Sequence, residues 1–290
     1  MKYAWIDANR DQYGVNRLCR VFNVSRSGYC QWRVRAPSAR IQQRKEFDMR
    51  IAALHVKSRG TYGRPRLVKE LVAQGVKTSA ERVRQSLLRQ GLRPTYRRAW
   101  KTTTDSAHRL PVAPNILARR FDGWQINQAW VADITFLATD EGWLYLAAIL
   151  DLGSRRIVGW SMSEHIDTAL VCTALRSAYL QRRPGPGLIL HSDRGSQGAQ
   201  YSSWRYRELA DHYQMTMSMS RRGNAWDNAV IESFFKTLKV EQTSRCHYET
   251  RAQARLDVVD WIEGFYNRQR IHSSIGYHSP CVYESLQQAA

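Results

Sequence analysis

Between Ala129 and Met162 three runs rich in Val, Ile, Leu and aromatic residues follow one another, separated only by Asp140-Glu141-Gly142 and Gly153-Ser154-Arg155. They span Ala129 to Thr139, Trp143 to Leu152 and Arg156 to Met162. Such side chains fit a pleated surface, and connections this short leave room only for hairpins. A three-stranded meander is predicted, and it constrains everything after it, because a sheet must bury a face against another layer. That layer is legible downstream. Asp167 caps a helix with Val171, Leu175 and Ala178 inward, Pro184-Gly185-Pro186-Gly187 breaks the chain, and Leu188 to His191 reads as a short buried strand. A helix from Trp204 to His212, a strand from Met215 to Ser220, a helix from Asp227 to about Val240 and a long helix from about Arg251 to Arg268 follow. The order β-β-β-α-β-α-β-α predicts an α/β fold with a mixed five-stranded sheet flanked by helices.

Upstream of the sheet the chain changes character. The 290 residues carry 44 Lys and Arg against 25 Asp and Glu, a net charge of +19. Residues 1–120 hold 27 bases and 7 acids, whereas residues 121–290 hold 17 and 18. The whole excess is therefore N-terminal. Of the bases 36 are Arg, whose planar fork meets a phosphate with two hydrogen bonds. A basic module joined to a near-neutral one points to nucleic-acid binding attached to a second activity.

The basic part has helical patterning. Phe47, Ile51 and Leu54 predict a helix from about Ile41 to Lys57, and Leu67, Val68, Leu71 and Val72 predict one from Arg64 that ends at Gly75. Thr78-Ser79-Ala80-Glu81 has capping-box spacing, and the helix it opens stops at Gly91. These two helices form a predicted helix-turn-helix over residues 39–92. Its second helix turns Val83 and Leu87 inward and leaves Arg82, Gln85, Ser86 and Arg89 outward for DNA. A fainter copy lies in residues 1–38, with Val15, Leu18 and Phe22, the turn Asn23-Val24, a Ser25 cap, then Tyr29 and Trp32. It reads either as a second helix-turn-helix or as a structural helical hairpin. Residues 93–122 form a basic linker in which Arg97 and Arg98 are placed to track a phosphate backbone, and residues 123–285 make up the α/β domain.

Three acids in that domain occupy unusual positions. Asp133 lies inside the first strand, where burying a lone carboxylate is costly. Asp193 follows the fourth strand, at the end where sites collect in α/β sheets. Glu232 lies on the helix from Asp227, which turns Ile231, Phe234, Phe235 and Leu238 inward. Asn228, Glu232, Lys236 and Lys239 share a separate stripe about 80° wide on that helix. Lys236 and Lys239 are also the only lysines after Lys101. Three carboxylates from two strand ends and a helix suit hard divalent cations, Mg²⁺ with Mn²⁺ as a substitute, and such ions support in-line phosphoryl displacement. Singly, these acids also suit a cap, a strand edge and an ion pair of Glu232 with Lys236. His191 and His272 are open between phosphate positioning and a satisfied structural role, and Trp226 between base stacking and core packing.

The element order is that of an RNase H-like domain, and a set of short motifs goes further. They are Tyr62-Gly63-Arg64-Pro65-Arg66, Trp130-Val131-Ala132-Asp133-Ile134-Thr135, His191-Ser192-Asp193-Arg194-Gly195-Ser196-Gln197, Ser218-Met219-Ser220-Arg221-Arg222-Gly223-Asn224, Asp227-Asn228-Ala229 with Glu232-Ser233-Phe234-Phe235, and Tyr266-Asn267 with Arg270, His272 and Gly276-Tyr277. Over nearly its whole length the chain resembles a second-frame (orfB-type) transposase of the frameshifting bacterial insertion sequences, with a DDE catalytic core similar to retroviral integrases. The resemblance implies that Asp133, Asp193 and Glu232 are the metal-binding catalytic triad and that Lys239 contacts DNA near the element's end. Between Asp193 and Glu232 the chain carries three residues more than the family pattern, read as a longer loop at Gly198-Ala199-Gln200. Ile271 stands where the family commonly has Pro.

The expected function is strand cleavage at element ends followed by strand transfer from the freed 3′ hydroxyl. Two alternatives are a nuclease that does not join strands and a DNA-binding regulator with a vestigial catalytic domain. The expected partners are double-stranded DNA, as terminal inverted repeats and target, further copies of the chain on paired ends, and the upstream-frame product, separate or fused by frameshifting. The longest apolar stretch, Trp143 to Leu150, is too short for a membrane span. Five scattered cysteines without a C-x-x-C pair fit a reducing, cytoplasmic setting.

Overall fold

A computed structural model describes residues 2–36, 38–95, 113–193, 200–221 and 225–289. The chain begins with four short helices, α1 (Lys2–Ala8), α2 (Arg10–Tyr13), α3 (Val15–Val21) and α4 (Arg26–Val34). Ile6, Leu18, Cys19 and Tyr29 give them a small apolar cluster of their own. A second helical group follows, α5 (Ala39–Lys57), α6 (Arg64–Ala73) and α7 (Ala80–Arg89). Gly75 and Gly91, with φ of 76° and 64°, turn the chain out of α6 and α7 in the left-handed region where glycine carries no Cβ penalty.

The cap of α7 differs from the sequence expectation. Ser79 rather than Thr78 is the N-cap, its Oγ accepting from Arg82 N at 3.2 Å. Glu81 does not reach back to close a capping box; it accepts from Arg84 at 2.8 Å and from Gln85 at 2.7 Å. The fork of Arg84 offers charge that a backbone N–H lacks, and a charged hydrogen bond wins that competition. Ser79→Ala is expected to destabilise the helical group by about 1 kcal/mol, seen as a small fall in the thermal midpoint with no change in the α/β domain's spectrum.

The sheet has the order β3-β2-β1-β4-β5, formed by β1 (Ala129–Thr139), β2 (Gly142–Asp151), β3 (Ile157–Ser163), β4 (Ile189–Ser192) and β5 (Thr216–Met219). The first three are antiparallel, whereas β4 pairs parallel with β1 and β5 parallel with β4. The mixed five-stranded sheet is therefore as expected. Alternation along β1 sorts its side chains. Trp130, Ala132 and Ile134 pack with α8 (Thr168–Arg182) and α9 (Trp204–His212) on one face. Ala129, Val131 and Leu137 face α10 (Ala229–Glu241) and α11 (Arg251–Val259) on the other. The second face is continuous with Phe47, Ile51, Leu54, Leu67, Leu71 and Val83 of the helical group. Tyr62 Oη donates to Gln269 O at 3.1 Å and accepts from Ile271 N at 2.8 Å, which ties the group to the domain.

The long helix expected to Arg268 changes geometry instead. After α11 a π-helical stretch, Asp260–Tyr266, widens the turn and brings Trp261, Ile262, Phe265 and Tyr266 into the core together. Past it, Asn267 accepts from Ile157 N and donates to Ile157 O, both at 3.0 Å, pairing its amide with edge strand β3 as another strand would. Helix α12 (Pro280–Gln288) closes the chain, and its Glu284 takes Arg156 and Arg182 at 2.6 and 2.7 Å. The last part of the expected linker is packed: Leu117 is fully buried, and Ile116 N and Leu117 N donate to Ser218 Oγ at 2.9 and 3.2 Å. Among the described residues no helix is long and apolar enough to cross a membrane.

Candidate active site

The parallel register of β1 and β4 pairs Ala132 with Ser192, so continuing it by one residue sets Asp133 beside Asp193 on adjacent strands. Neighbouring strands lie ~4.8 Å apart, and register partners point to the same face. That face is the one covered by α10. The N-terminal end of α10 is fixed to the same spot, since Asn228 Nδ2 donates to Ala132 O at 3.2 Å. Glu232 follows one turn later, and the three acids converge.

Their electrostatics record the convergence. The Asp133 carboxyl is held well above the usual carboxylate range, first by burial, then by Asp193, and further by Glu232. Its Oδ1 accepts from Ile134 N at 2.8 Å, which works in the opposite direction. Glu232 is raised by burial and again by Asp193. Lys239, two turns along α10, sits with Nζ 4.6 Å from the centroid of the Phe136 ring. Burial lowers its ammonium, and the charge of Asp133 resists that fall. An isolated acid capping a helix or edging a strand would feel no second and third carboxylate. Among the described residues no three His, Cys, Asp or Glu side chains stand together closely enough to hold a metal ion as they are.

The donors nevertheless suit a hard divalent ion, since all three are carboxylate oxygens under mutual repulsion. A further buried oxygen on the α10 side, Asn228 Oδ1, has no hydrogen-bond partner among the described residues. Because Asp133 and Glu232 hold protons more tightly folded than unfolded, their contribution to stability is full below about pH 4 and is lost as pH rises through the raised folded values. A dication held by these carboxylates would offset that loss. The rise in thermal midpoint on adding Mg²⁺ is therefore expected to be larger at pH 8 than at pH 6, reaching about 2.7 kcal/mol of added stability at a hundredfold excess over Kd. Thermal scans at the two pH values check it, and an equal rise at both would contradict it.

The expected DNA-contact residues fall in several places. Lys236 is partly exposed on α10. Asn228 is only 1% exposed and braces β1 instead of facing solvent, because α10 begins against the strand. Arg82, Gln85 and Arg89 are exposed on α7, but each has a partner within the chain. Arg82 lies 4.1 Å over Phe47, Gln85 donates to Glu81, and Arg89 pairs with Asp48 at 2.6 Å. Ser86, expected outward, is fully buried and donates to Asp48 Oδ1 at 2.6 Å. Asp48 on α5 supplies the half-buried acceptor that hydrophobic patterning does not register. Arg97, Arg98, Gly198 and Ala199 lie outside the described residues.

His191 resolves as structural. Ser218 Oγ already accepts two N–H groups, so its proton goes to His191 Nδ1 at 2.9 Å, and Nε2–H is left to donate to Ser220 Oγ at 3.2 Å. Burial lowers its pKa to about 4, so it is neutral there. His272 is likewise held well below its ordinary value by burial and by Arg270, Arg66 and Arg155, with Nε2 3.5 Å from Arg270. Trp226, by contrast, is 71% exposed, so of the two readings open for it core packing is excluded.

Patterning missed one residue. Asp227 is fully buried and accepts from Arg221, Arg119 and Asn115 at 2.8 Å each. Arg221 foremost holds its carboxyl far below the usual range. It locks the segment ahead of β1 and the end of β5 onto the entry to α10, one residue before Asn228. Its sequence signals are its place in the Asp227-Asn228-Ala229 motif and an acid directly preceding the brace.

Residues 125–225 match the Integrase core domain, residues 213–280 match a second description of the Integrase core domain, and residues 42–100 match an HTH-like domain. The chain is 42% identical over 292 aligned positions to the transposase InsF for insertion sequence IS3A of Escherichia coli K12, covering all of both chains. It is 43% identical over 274 positions to the insertion element IS600 uncharacterized 31 kDa protein of Shigella sonnei, covering 94% of this chain and all of that one. Among solved structures, the catalytic core domain of BIV integrase is 18% identical with a TM-score of 0.41, covering 56% of this chain and 97% of that one.

Proposed function

Because the chain belongs to the family of insertion-sequence transposases with an integrase core, we propose that Asp133, Asp193 and Glu232 are the catalytic, metal-holding triad with which it cuts an element end and joins it to new DNA. The observation that carries this reading is the raised Asp133 carboxyl, which feels both Asp193 and Glu232 although they come from separate elements. Asp133 is fixed by the sheet, Asp193 by the end of a strand parallel to it, and Glu232 by a helix anchored through Asn228 and Asp227. Mg²⁺, with Mn²⁺ as its substitute, would be held by these three carboxylates and would stabilise the attacking and departing oxygens of an in-line displacement.

Without a cation the acids would repel a phosphate, so the triad's first task is to convert a negative pocket into a phosphate-binding one. Lys239 brings a half-buried ammonium to the same place and draws the backbone near the element's end inward. Lys236 lies one turn closer to Glu232 and extends the positive edge. In cleavage, water attacks phosphorus and the bond to the 3′ oxygen breaks, leaving a 3′ hydroxyl and a 5′ phosphate. In joining, that hydroxyl attacks a phosphodiester of the target, whose own bond from phosphorus to the 3′ oxygen breaks and releases a target 3′ hydroxyl. Both are the same displacement with a different nucleophile, so one triad serves both.

The basic helical group carries the double-stranded terminal repeat through Arg82, Gln85 and Arg89, which exchange internal partners for phosphates or bases, with Arg97 and Arg98 following the backbone. Two copies of the chain hold paired ends, and an upstream-frame product or fusion contributes to end recognition. The setting is the bacterial cytoplasm, at the nucleoid. A labelled, pre-cleaved terminal repeat incubated with target DNA and Mg²⁺ tests the reading. Strand-joined product is expected, whereas shortened fragments without joined product would favour a nuclease.

A further inference from the structure

We infer that residues 2–36 form a second DNA-reading unit, with α4 as its recognition helix, so that each element end is gripped at two separate segments. The inference rests on the proposal that the chain binds its element ends, and it concerns a part of the chain that lies before the matched HTH-like domain at residues 42–100. Helices α1, α3 and α4 pack on one another around Ile6, Leu18, Cys19 and Tyr29, a core separate from that of the rest of the chain. Between α3 and α4 the turn passes through Asn23 in the left-handed region, φ 50°, and Ser25 Oγ caps α4 by accepting from Gly28 N at 3.0 Å. Helix α1 crosses α4 closely at Gly28, where an added Cβ would lie 2.5 Å from Tyr3 Oη. Three helices packed in this way, with a tight turn before the last, are the frame that sets a recognition helix into a major groove.

Charge identifies the occupant. Residues 15–36 hold five Arg, at 17, 20, 26, 33 and 35, and no Asp or Glu. The acid closest to α4 is Asp7, which accepts from Tyr29 Oη at 2.7 Å and lies 3.0 Å from Arg10, leaving Arg33 at 3.8 Å. On α4 the exposed face carries Arg26 and Ser27 at its start, the end of a recognition helix that reaches base edges, with Gln31 and Arg33 following in the second turn. A purely structural hairpin has no need for an acid-free basic face bearing a bidentate amide.

The test is a hydroxyl-radical footprint of the full chain on its own terminal repeat, comparing wild type with Arg26→Ala/Gln31→Ala. Both side chains are exposed, so the thermal midpoint should stay unchanged and serves as the folding control. Protection should vanish over one contiguous segment while the segment contacted through α7 remains. Affinity should fall about 10- to 100-fold, with the salt slope lower by about one. An unchanged footprint, as a protein-docking role for α4 would give, overturns the inference, and so does uniform weakening along the repeat. The readout is binding, so it is independent of whether bound ends are joined or merely hydrolysed.

Discussion

Asp133→Asn is expected to reduce strand cleavage and strand joining about 10³-fold or more, while DNA binding stays within a few-fold of wild type. The magnitude corresponds to losing several kcal/mol of charge stabilisation in the transition state. Asparagine keeps the shape of the side chain and its bond from Ile134 N, so the sheet is not disturbed. The same variant carries a second expectation that a merely damaged fold would not meet. In the absence of divalent cation at neutral pH it should be more stable than wild type, because the raised carboxyl of Asp133 must otherwise lose its proton beside Asp193 and Glu232. Adding Mg²⁺ should then raise its thermal midpoint little or not at all. Loss of activity combined with a lower metal-free stability would argue that Asp133 supports the fold instead.

Glu241→Leu is expected to cost about 3–5 kcal/mol of stability, because it leaves the Arg270 guanidinium buried without its partner. Arg270 and Glu241 are 6% and 9% exposed and bonded twice at 2.7 Å. A fall in thermal midpoint of roughly 10 °C is the corresponding observation. The double variant Glu241→Leu/Arg270→Met should recover most of it, since a well-packed apolar pair of similar volume is often as stable as the ion pair it replaces. Glu241 ends α10, the helix that carries Glu232, so the single variant should also slow joining more than it weakens DNA binding. If the double variant were as unstable as the single one, packing and not the buried charge would be responsible.

The catalytic domain was legible in the sequence because its elements are local and strongly patterned. β1 runs from Ala129 to Thr139 and α9 from Trp204 to His212, both as expected from alternation, periodicity and breakers. The three acids drew notice for different reasons: Asp133 breaks the pattern of its strand, Asp193 follows a strand end, and Glu232 shares a polar stripe with two lysines, while only the family resemblance joined them as a triad. What patterning did not reveal are contacts made across the fold. Asp48 takes Ser86 and Arg89 across 38 and 41 residues, and Asp227 takes Arg119 and Asn115 across 108 and 112. No local period encodes such pairs, so Ser86 was expected outward and Asn228 was expected to face DNA. The Thr78 box fails for a related reason, since Arg84 outcompetes the backbone for Glu81. The π-helical turn at Asp260–Tyr266 follows from packing four large side chains against one sheet face, which a fixed helical period does not anticipate.

The central claim is that Asp133, Asp193 and Glu232 act as one site. The rate of strand joining by Asp193→Asn, measured on a pre-cleaved, labelled terminal repeat with Mg²⁺, tests it most directly. The end is already cut, so only the second displacement is read, and a gel-shift of the same mixture reports whether the end is bound. The account predicts a bound end and no joined product. Joining at the wild-type rate by Asp193→Asn would contradict it.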